Sequence, residues 1–111
     1  MGNSKFQYYK SKQDKQFYFR FLESEGVILL TSEGYTNKAS CENGINSVKA
    51  NAPSEIRYER HSNNGHFWFN LKAGNGEIIG KSKMFKSATD RDKGIETLKQ
   101  EAPGASTAYL D

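Results

Sequence analysis

The chain has 111 residues, of which 35% are hydrophobic and 13% aromatic, and its net charge is +3. This length fits one domain with a modest core, and the aromatic content argues against intrinsic disorder. No apolar run approaches the roughly 20 residues of a membrane-spanning helix, and the polar first segment predicts no signal peptide. The single cysteine cannot form an internal disulfide, which favours a reducing, cytoplasmic location. Composition thus excludes a membrane protein, a disulfide-rich scaffold and a multidomain enzyme.

The sequence contains an internal repeat. A shift of 50 residues aligns residues 6–53 with residues 56–103 without a gap and gives eleven identities. These identities fall mainly on glycine, proline and aromatic positions. We therefore predict a single domain, residues 1–111, made of two repeats. The identical pairs are Tyr8/Tyr58, Phe17/Phe67, Phe19/Phe69, Gly26/Gly76, Ile28/Ile78, Ser32/Ser82, Gly44/Gly94, Ile45/Ile95, Lys49/Lys99, Ala52/Ala102 and Pro53/Pro103.

Each repeat begins with two segments that alternate as strands do. Residues 6–10 alternate in the first segment. In the second, Phe17, Phe19 and Phe21 share one face because side chains in a strand point to opposite sides in turn. The residues between them share the other face. The face with the three phenylalanines is predicted to point into the core.

A hairpin signal follows in both repeats. Asn75-Gly76 separates two strand-like runs and predicts a type I′ turn, in which both central residues have positive φ. Glu25-Gly26 is its weaker counterpart in repeat one. The third strands are expected to direct Ile28 and Ile78 into the core, because these isoleucines occupy matching positions.

The apolar period then becomes helical. Asn37 and Ser87 align at the expected N-caps, and a proline ends each helix. Gly44 and Gly94 fall inside these helices, where glycine costs roughly 1 kcal/mol relative to alanine, so we expect close backbone packing there. The apolar face of the first helix consists of Cys41, Ile45, Val48 and Ala52, and that of the second of Ala88, Ile95, Leu98 and Ala102.

These elements predict an α+β fold. Two tandem β-β-β-α repeats form one antiparallel sheet, with both helices packed on one face and an approximate twofold axis between the repeats. A C-terminal strand at about residues 106–110 is expected to pair back with the sheet.

One combination of motifs occurs in both repeats: an aromatic strand, a glycine turn, an isoleucine strand, then Gly-Ile-x-Ser/Thr-Val/Leu-Lys and Ala-Pro. Repeat one departs from it at the hairpin, where Ser24-Glu25 replaces Gly74-Asn75. Repeat two carries it in residues 67–73, residues 74–79, Ser82, Phe85 and residues 94–99, and repeat one in residues 17–21, Gly26, Ile28, residues 31–33, Tyr35 and residues 44–49.

This combination resembles the YegP-like proteins, a family of small bacterial proteins with two tandem copies of one domain. The resemblance covers nearly the whole chain. It implies tandem units that form one antiparallel sheet, with exchanged C-terminal strands and helices packed on it. It also implies that members with one copy assemble as dimers. The resemblance implies no activity, cofactor or catalytic residue.

The histidines and the cysteine do not form a recognisable catalytic or metal-binding motif. His61 and His66 flank a predicted loop and are expected to be exposed, and Cys41 is expected to be a small buried hydrophobic residue. Their spacing does not resemble a zinc site. We therefore expect no metal, no cofactor and no enzymatic activity.

One surface is a candidate for binding: the face of the central strands that points away from the core. Exposed rings flanked by cations can stack on the bases of single-stranded nucleic acid. The same residues are also typical of cross-strand pairs on a half-exposed sheet or of a dimer contact. The candidate residues are Tyr18, Arg20, Trp68, Asn70 and Lys72.

The sequence therefore predicts a non-catalytic cytoplasmic binding or interaction module that acts through this aromatic and basic sheet face. Two alternatives stay open: a self-associating structural or stress-associated protein, and a single-stranded nucleic-acid binder. A membrane partner is not expected. The oligomeric state is expected to be a monomer or a weak homodimer, and the ligand is left open.

Overall fold

The structure is a computed structural model that describes residues 3–111, so Met1 and Gly2 of the predicted domain lie outside the described residues. Each repeat contributes three strands and a helix, and one more strand follows. Short 3-10 turns at Glu55–Arg57 and Ala102–Gly104 follow the helices. The elements are β1 (Lys5–Lys10), β2 (Phe17–Leu22), β3 (Ile28–Thr31), α1 (Lys38–Asn51), β4 (Tyr58–Asn63), β5 (His66–Lys72), β6 (Ile78–Ser82), α2 (Ala88–Glu101) and β7 (Ser106–Leu110).

All seven strands form one sheet in the order β4-β5-β6-β3-β2-β1-β7. The α+β class, the tandem repeats and the returning C-terminal strand are confirmed. The sheet is mixed, however, rather than antiparallel throughout, because β7 runs parallel to β1 from Lys5–Ser106 to Tyr9–Leu110. Strands joined by a tight hairpin must be antiparallel. The last strand reaches β1 only after α2, and this longer connection allows the parallel direction.

Both helices pack on the sheet face that carries the phenylalanines. Phe19, Phe21 and Phe69 are almost completely buried there, together with Ile45 of α1 and Ile95 of α2. The predicted N-caps are confirmed, since the Asn37 side chain accepts a hydrogen bond from the Ser40 amide at 2.8 Å. Ser87 accepts one from the Asp90 amide at 3.0 Å. Both helices therefore begin at equivalent positions of the repeat.

The two halves of the sheet meet where β3 pairs with β6. Leu30 and Gly80 are equivalent positions of the repeat, and both point to the core side of this junction. Leu30 is fully buried, and a Cβ atom on Gly80 would lie 2.6 Å from Leu30 Cδ2. Leu30 therefore fills the space beside the pseudo-twofold axis, and the equivalent residue, Gly80, has no side chain that would compete for it.

The third strands depart from the predicted alternation. Ile28 and Ile78 were expected in the core but are 37% and 39% exposed, whereas Leu29 is 3% exposed. The reason is a bulge: Phe21 pairs with Leu30 but Leu22 pairs with Ile28, so Leu29 is an extra residue. The extra residue turns to the core beside Leu30 and moves the isoleucine to the opposite face. β6 has the equivalent bulge opposite Leu71 and Lys72.

The hairpins are placed as predicted, but the turn types differ. At Asn75-Gly76 only Gly76 has positive φ, and hydrogen bonds join Gly76 N–H to Ala73 O and Ala73 N–H to Glu77 O. This is a three-residue loop that ends in a left-handed glycine, as in Gly26 of repeat one. Positive φ at two successive residues, typical of type I′, occurs instead at Asn64 and Gly65 between β4 and β5.

The helical glycines do face close neighbours. A Cβ atom on Gly94 would lie 2.8 Å from Phe85 Cζ, and one on Gly44 would lie 2.7 Å from Tyr35 Cζ. We expect Gly94→Leu to lower the free energy of unfolding by about 1–2 kcal/mol, because overpacking outweighs the better helix propensity of leucine. A melting temperature equal to that of the wild type would contradict this explanation of the glycine.

Candidate functional site

The sheet face opposite the helices is not covered by any other element in residues 3–111. We call it the open face, and strand pairing defines its members. Four of its side chains are cationic and one is a carboxylate. The open face consists of Lys5, Gln7, Tyr9, Tyr18, Arg20, Leu22, Ile28, Thr31, Glu59, His61, Asn63, His66, Trp68, Asn70, Lys72, Ile78, Lys81, Ser106, Ala108 and Leu110.

A polar row crosses the middle of the open face. Arg20 of β2 is directly opposite Thr31 of β3, and Thr31 is opposite Lys81 of β6. Lys81 is in turn opposite Asn70 of β5. The row therefore places two cations two strands apart, a spacing of about 10 Å.

Repeat one contributes a ring pair and a cation. Tyr18 stacks on Tyr9 of β1 with ring centroids 6.2 Å apart, and the Arg20 guanidinium lies 5.4 Å from the Tyr9 centroid. Arg20 Nε also donates to Gln7 Oε1 at 3.0 Å. The Tyr18 hydroxyl donates to Asp14 at 2.5 Å, which holds the pKa of that carboxyl below its ordinary value. The side chains of this group are thus held in place by one another.

Repeat two contributes a group centred on the Glu59 carboxylate. Glu59 accepts hydrogen bonds from Lys72 Nζ at 2.8 Å, from His61 Nε2 at 2.9 Å and from Asn70 Nδ2 at 3.1 Å. These donors, Lys72 foremost, lower the pKa of Glu59 to about 2. His61 also stacks on Trp68, with centroids 5.3 Å apart and planes 15° apart. The carboxylate thereby orients both the ring pair and the amide.

The five predicted site residues therefore share one face but do not form one cluster. Tyr18 and Arg20 lie on β2, whereas Trp68, Asn70 and Lys72 lie on β5, and two strands separate them. Three strand spacings amount to about 14 Å. The polar row connects the two groups. The binding role of these five residues stays a prediction.

Sequence reasoning missed four members of the site. Tyr9 and His61 complete the ring pairs, Glu59 orients the group of repeat two, and Lys81 supplies the central cation. Tyr9 and Glu59 follow from the alternation of β1 and β4 once these strands are known to flank β2 and β5. His61, expected in a loop, lies within β4, because the two-residue turn extends the strand to Asn63. Lys81 requires the pairing of β3 with β6, which no local pattern reveals.

The remaining reactive side chains are isolated. Cys41 is fully buried on the apolar face of α1, as expected, and burial raises the pKa of its thiol to about 11. Within residues 3–111, no three His, Cys, Asp or Glu side chains are arranged to hold a metal ion. None of the helices in this part of the chain is long and apolar enough to span a membrane.

Comparison with known families gives two matches along the chain. The family described as "Domain of unknown function (DUF1508)" matches residues 12–59 and again residues 62–108. This chain belongs to the DUF1508 family. Each match begins before the second strand of a repeat, β2 or β5, and ends inside the strand that follows the helix, at residue 59 in β4 and at residue 108 in β7. β4 of the first DUF1508 unit pairs with β5 of the second, and β7 of the second unit returns to β1. Because β1 precedes both matched ranges and lies between β2 and β7, the strand that follows the helix crosses to the other unit only at β4, and the exchange implied by the resemblance is one-sided.

Bacterial relatives support this membership. The chain is 47% identical over 55 residues to the "UPF0339 protein in ptx operon 5'region" of Stutzerimonas stutzeri, covering 50% of this chain and 49% of that protein. It is 51% identical over 47 residues to UPF0339 protein YegP of Escherichia coli K12, covering 42% and 43%. In these alignments the chain therefore spans about half the length of its curated relatives or less. The resemblance to YegP-like proteins is confirmed.

Solved structures extend the likeness to the whole fold. The solution structure of YegP from E. coli, titled a protein of unknown function, has a TM-score of 0.89 at 42% identity and covers 98% of this chain and 94% of that chain. A UPF0339 protein of Shewanella oneidensis has a TM-score of 0.90 at 38% identity and covers 96% and 91%. The relatives of this DUF1508 protein thus share its architecture and carry no assigned activity.

Proposed function

We propose that this protein is a non-catalytic binding module that takes an extended polyanion, single-stranded nucleic acid, across its open face. The observation that carries the proposal is an uncovered sheet with a stacked ring pair at each end of a cationic row. Some RNA-binding sheets likewise have helices behind them and present aromatic side chains on which bases stack. The single reduced cysteine supports action in the cytoplasm.

The charges of the open face favour a polyanion over a neutral partner. Lys5, Arg20 and Lys81 form no ion pair with any described side chain. Lys72 is neutralised by Glu59. Phosphates spaced along a flexible strand can reach successive cations of the row while the flanking bases reach the rings.

The test is a titration of labelled single-stranded DNA and RNA at low salt, followed by fluorescence anisotropy. We expect Trp68→Ala to weaken binding by roughly 1–3 kcal/mol, the stacking energy of one base. We expect Lys81→Glu to weaken binding strongly and to reduce the salt dependence of the affinity by about one phosphate contact.

Lys93→Glu is the matched control. Lys93 is equally exposed but lies on α2, behind the sheet, and the substitution changes the net charge by the same amount. Equal losses for Lys81→Glu and Lys93→Glu would show that net charge alone attracts the nucleic acid. Absence of binding by the wild type at micromolar concentration would overturn the proposal.

Self-association through the open face is the second candidate, favoured by one observation. Ile28 and Ile78 are exposed large hydrophobic residues on this face. Light scattering over a range of concentrations separates the two functions, because self-association requires a mass above 12.5 kDa. In that case Ile28→Ser with Ile78→Ser should restore the monomer, whereas nucleic-acid binding should survive both changes.

A further inference from the structure

One buried polar atom in the described chain has no partner, and it lies on the open face. Asn70 is 7% exposed. Its Nδ2 donates to Glu59, but its Oδ1 accepts no hydrogen bond, and no other buried side-chain N or O atom in residues 3–111 is left in this state. A buried acceptor without a donor is unfavourable. The atom therefore marks a place where a donor from outside the chain would be stabilised.

The neighbours of Asn70 determine which way its amide points. Glu59 can only accept hydrogen bonds when it is ionised, and its lowered pKa keeps it ionised at neutral pH. Nδ2 must therefore face Glu59 on β4, and Oδ1 is the amide atom that is left without a donor. A flipped amide would place two acceptors against each other. The ion-paired carboxylate of Glu59 thus fixes the orientation of the amide that leaves Asn70 Oδ1 unpaired.

Two features of the surroundings describe the donor that would fit. Trp68, two residues away on the same strand face, offers a ring on which a planar group can stack. Lys81, directly opposite Asn70, is exposed and carries no ion pair. Asn70 Oδ1 is buried, so a donor reaches it only after neighbouring side chains move, and exposed side chains change rotamer within nanoseconds.

Repeat one offers no equivalent. Arg20 takes the place of Asn70, and it already bonds Gln7 and lies over Tyr9. Leu22 and Tyr9 replace Lys72 and Glu59. The half of the open face that belongs to repeat one can attract phosphates and stack on bases. Among the described residues, it has no unpaired buried side-chain acceptor. The two halves have therefore diverged in what they can recognise.

We infer that Asn70 reads the base stacked near Trp68 by accepting a hydrogen bond from its exocyclic amino group, so that adenine and cytosine bind better than the same rings without that group. This inference rests on the proposed function. Asparagine commonly pairs with adenine through its amide. Here Glu59 holds the amide nitrogen, and only the acceptor is left for the base.

The decisive experiment changes the nucleic acid rather than the protein. Oligonucleotides of one length made of deoxyadenosine are compared with those of purine deoxyriboside, which lacks the amino group. Deoxycytidine is compared in the same way with the deoxyriboside of pyrimidin-2-one, which lacks the amino group and has no ring N–H donor. Charge and ring stacking are nearly equal within each pair. We expect the amino-bearing member to bind roughly three- to tenfold more tightly, the value of one hydrogen bond to a group otherwise left unpaired.

A variant then tests the residue itself. Asn70→Leu removes the acceptor, and we expect the preference to disappear while binding of the oligonucleotides without the amino group is kept. Equal affinities within each pair for the wild type would overturn the inference and leave the proposed function standing, as would an unchanged preference in Asn70→Leu. Failure to bind any of the oligonucleotides would overturn both.

Discussion

We expect Gly80→Leu to lower the free energy of unfolding by about 3 kcal/mol, at the upper end for overpacking of a core. The Cβ atom alone would lie 2.6 Å from Cδ2 and 2.7 Å from Cγ of Leu30. Leu30 is fully buried, so its branched end has no free space to enter. The effect is measured by urea unfolding, followed through the fluorescence of the single tryptophan.

The pseudo-twofold axis supplies a rescue for this variant. Leu30→Gly alone should destabilise the protein by about 2–5 kcal/mol, because it leaves a cavity at the junction of β3 and β6. Combined with Gly80→Leu, it moves the leucine to the equivalent position on the other side of the axis. We expect the double variant to be more stable than the two single changes predict, by at least about 1 kcal/mol of coupling.

Gly104→Ala is the control for steric contact at Gly80. A Cβ atom on Gly104 would meet nothing within 4 Å, so we expect this change to alter stability by less than about 0.5 kcal/mol. Gly80→Ala should be clearly destabilising by comparison. Additive effects of Leu30→Gly and Gly80→Leu would show that the two residues do not share one space.

The second large effect is expected for Ser82→Ala, about 1–3 kcal/mol of lost stability. Ser82 is 7% exposed. Its hydroxyl accepts a hydrogen bond from the Phe69 amide at 2.9 Å and donates one to the Lys83 carbonyl at 2.7 Å. The side chain thus completes the sheet where β6 leaves β5, and alanine would leave a buried amide without an acceptor. Urea unfolding and hydrogen exchange at the Phe69 amide measure the effect.

The repeat contains a matched comparison for this serine. Ser32 makes the same two bonds in repeat one, from the Phe19 amide at 2.9 Å and to the Glu33 carbonyl at 2.9 Å. Ser32 is only half-buried, so water can replace its hydroxyl more easily. Ser32→Ala should therefore destabilise the protein less than Ser82→Ala. Equal stability of Ser82→Ala and the wild type would refute this role for the serine.

These hydrogen bonds also explain why serine occurs at the same position in both repeats. Ser32 and Ser82 match in the alignment, yet neither belongs to an apolar pattern or a predicted turn. The structure shows that each serine connects its third strand to the strand beside it. A side chain that satisfies a distant backbone amide has no local sequence signal, because its partner lies 13 residues earlier in the chain.

The sequence also predicted part of the candidate site. Alternation placed Tyr18, Arg20, Trp68, Asn70 and Lys72 on one face, and the structure places them there. It could not place them relative to one another, because the distance between β2 and β5 depends on which third strands meet. The sequence could not predict that Asn70 Oδ1 lacks a hydrogen-bond partner either, because this depends on how Glu59 of a neighbouring strand orients the amide.

By itself the amino-acid sequence determined the two repeats, the succession of strands and helices, the helix caps and the phenylalanine core, because these follow from periodicity and from contacts within a few residues. The tertiary structure alone decided the strand order, the parallel direction of β7, the bulges that expose Ile28 and Ile78, and the polar row of the open face. Those features arise where segments far apart in the chain compete for the same space and the same backbone hydrogen bonds.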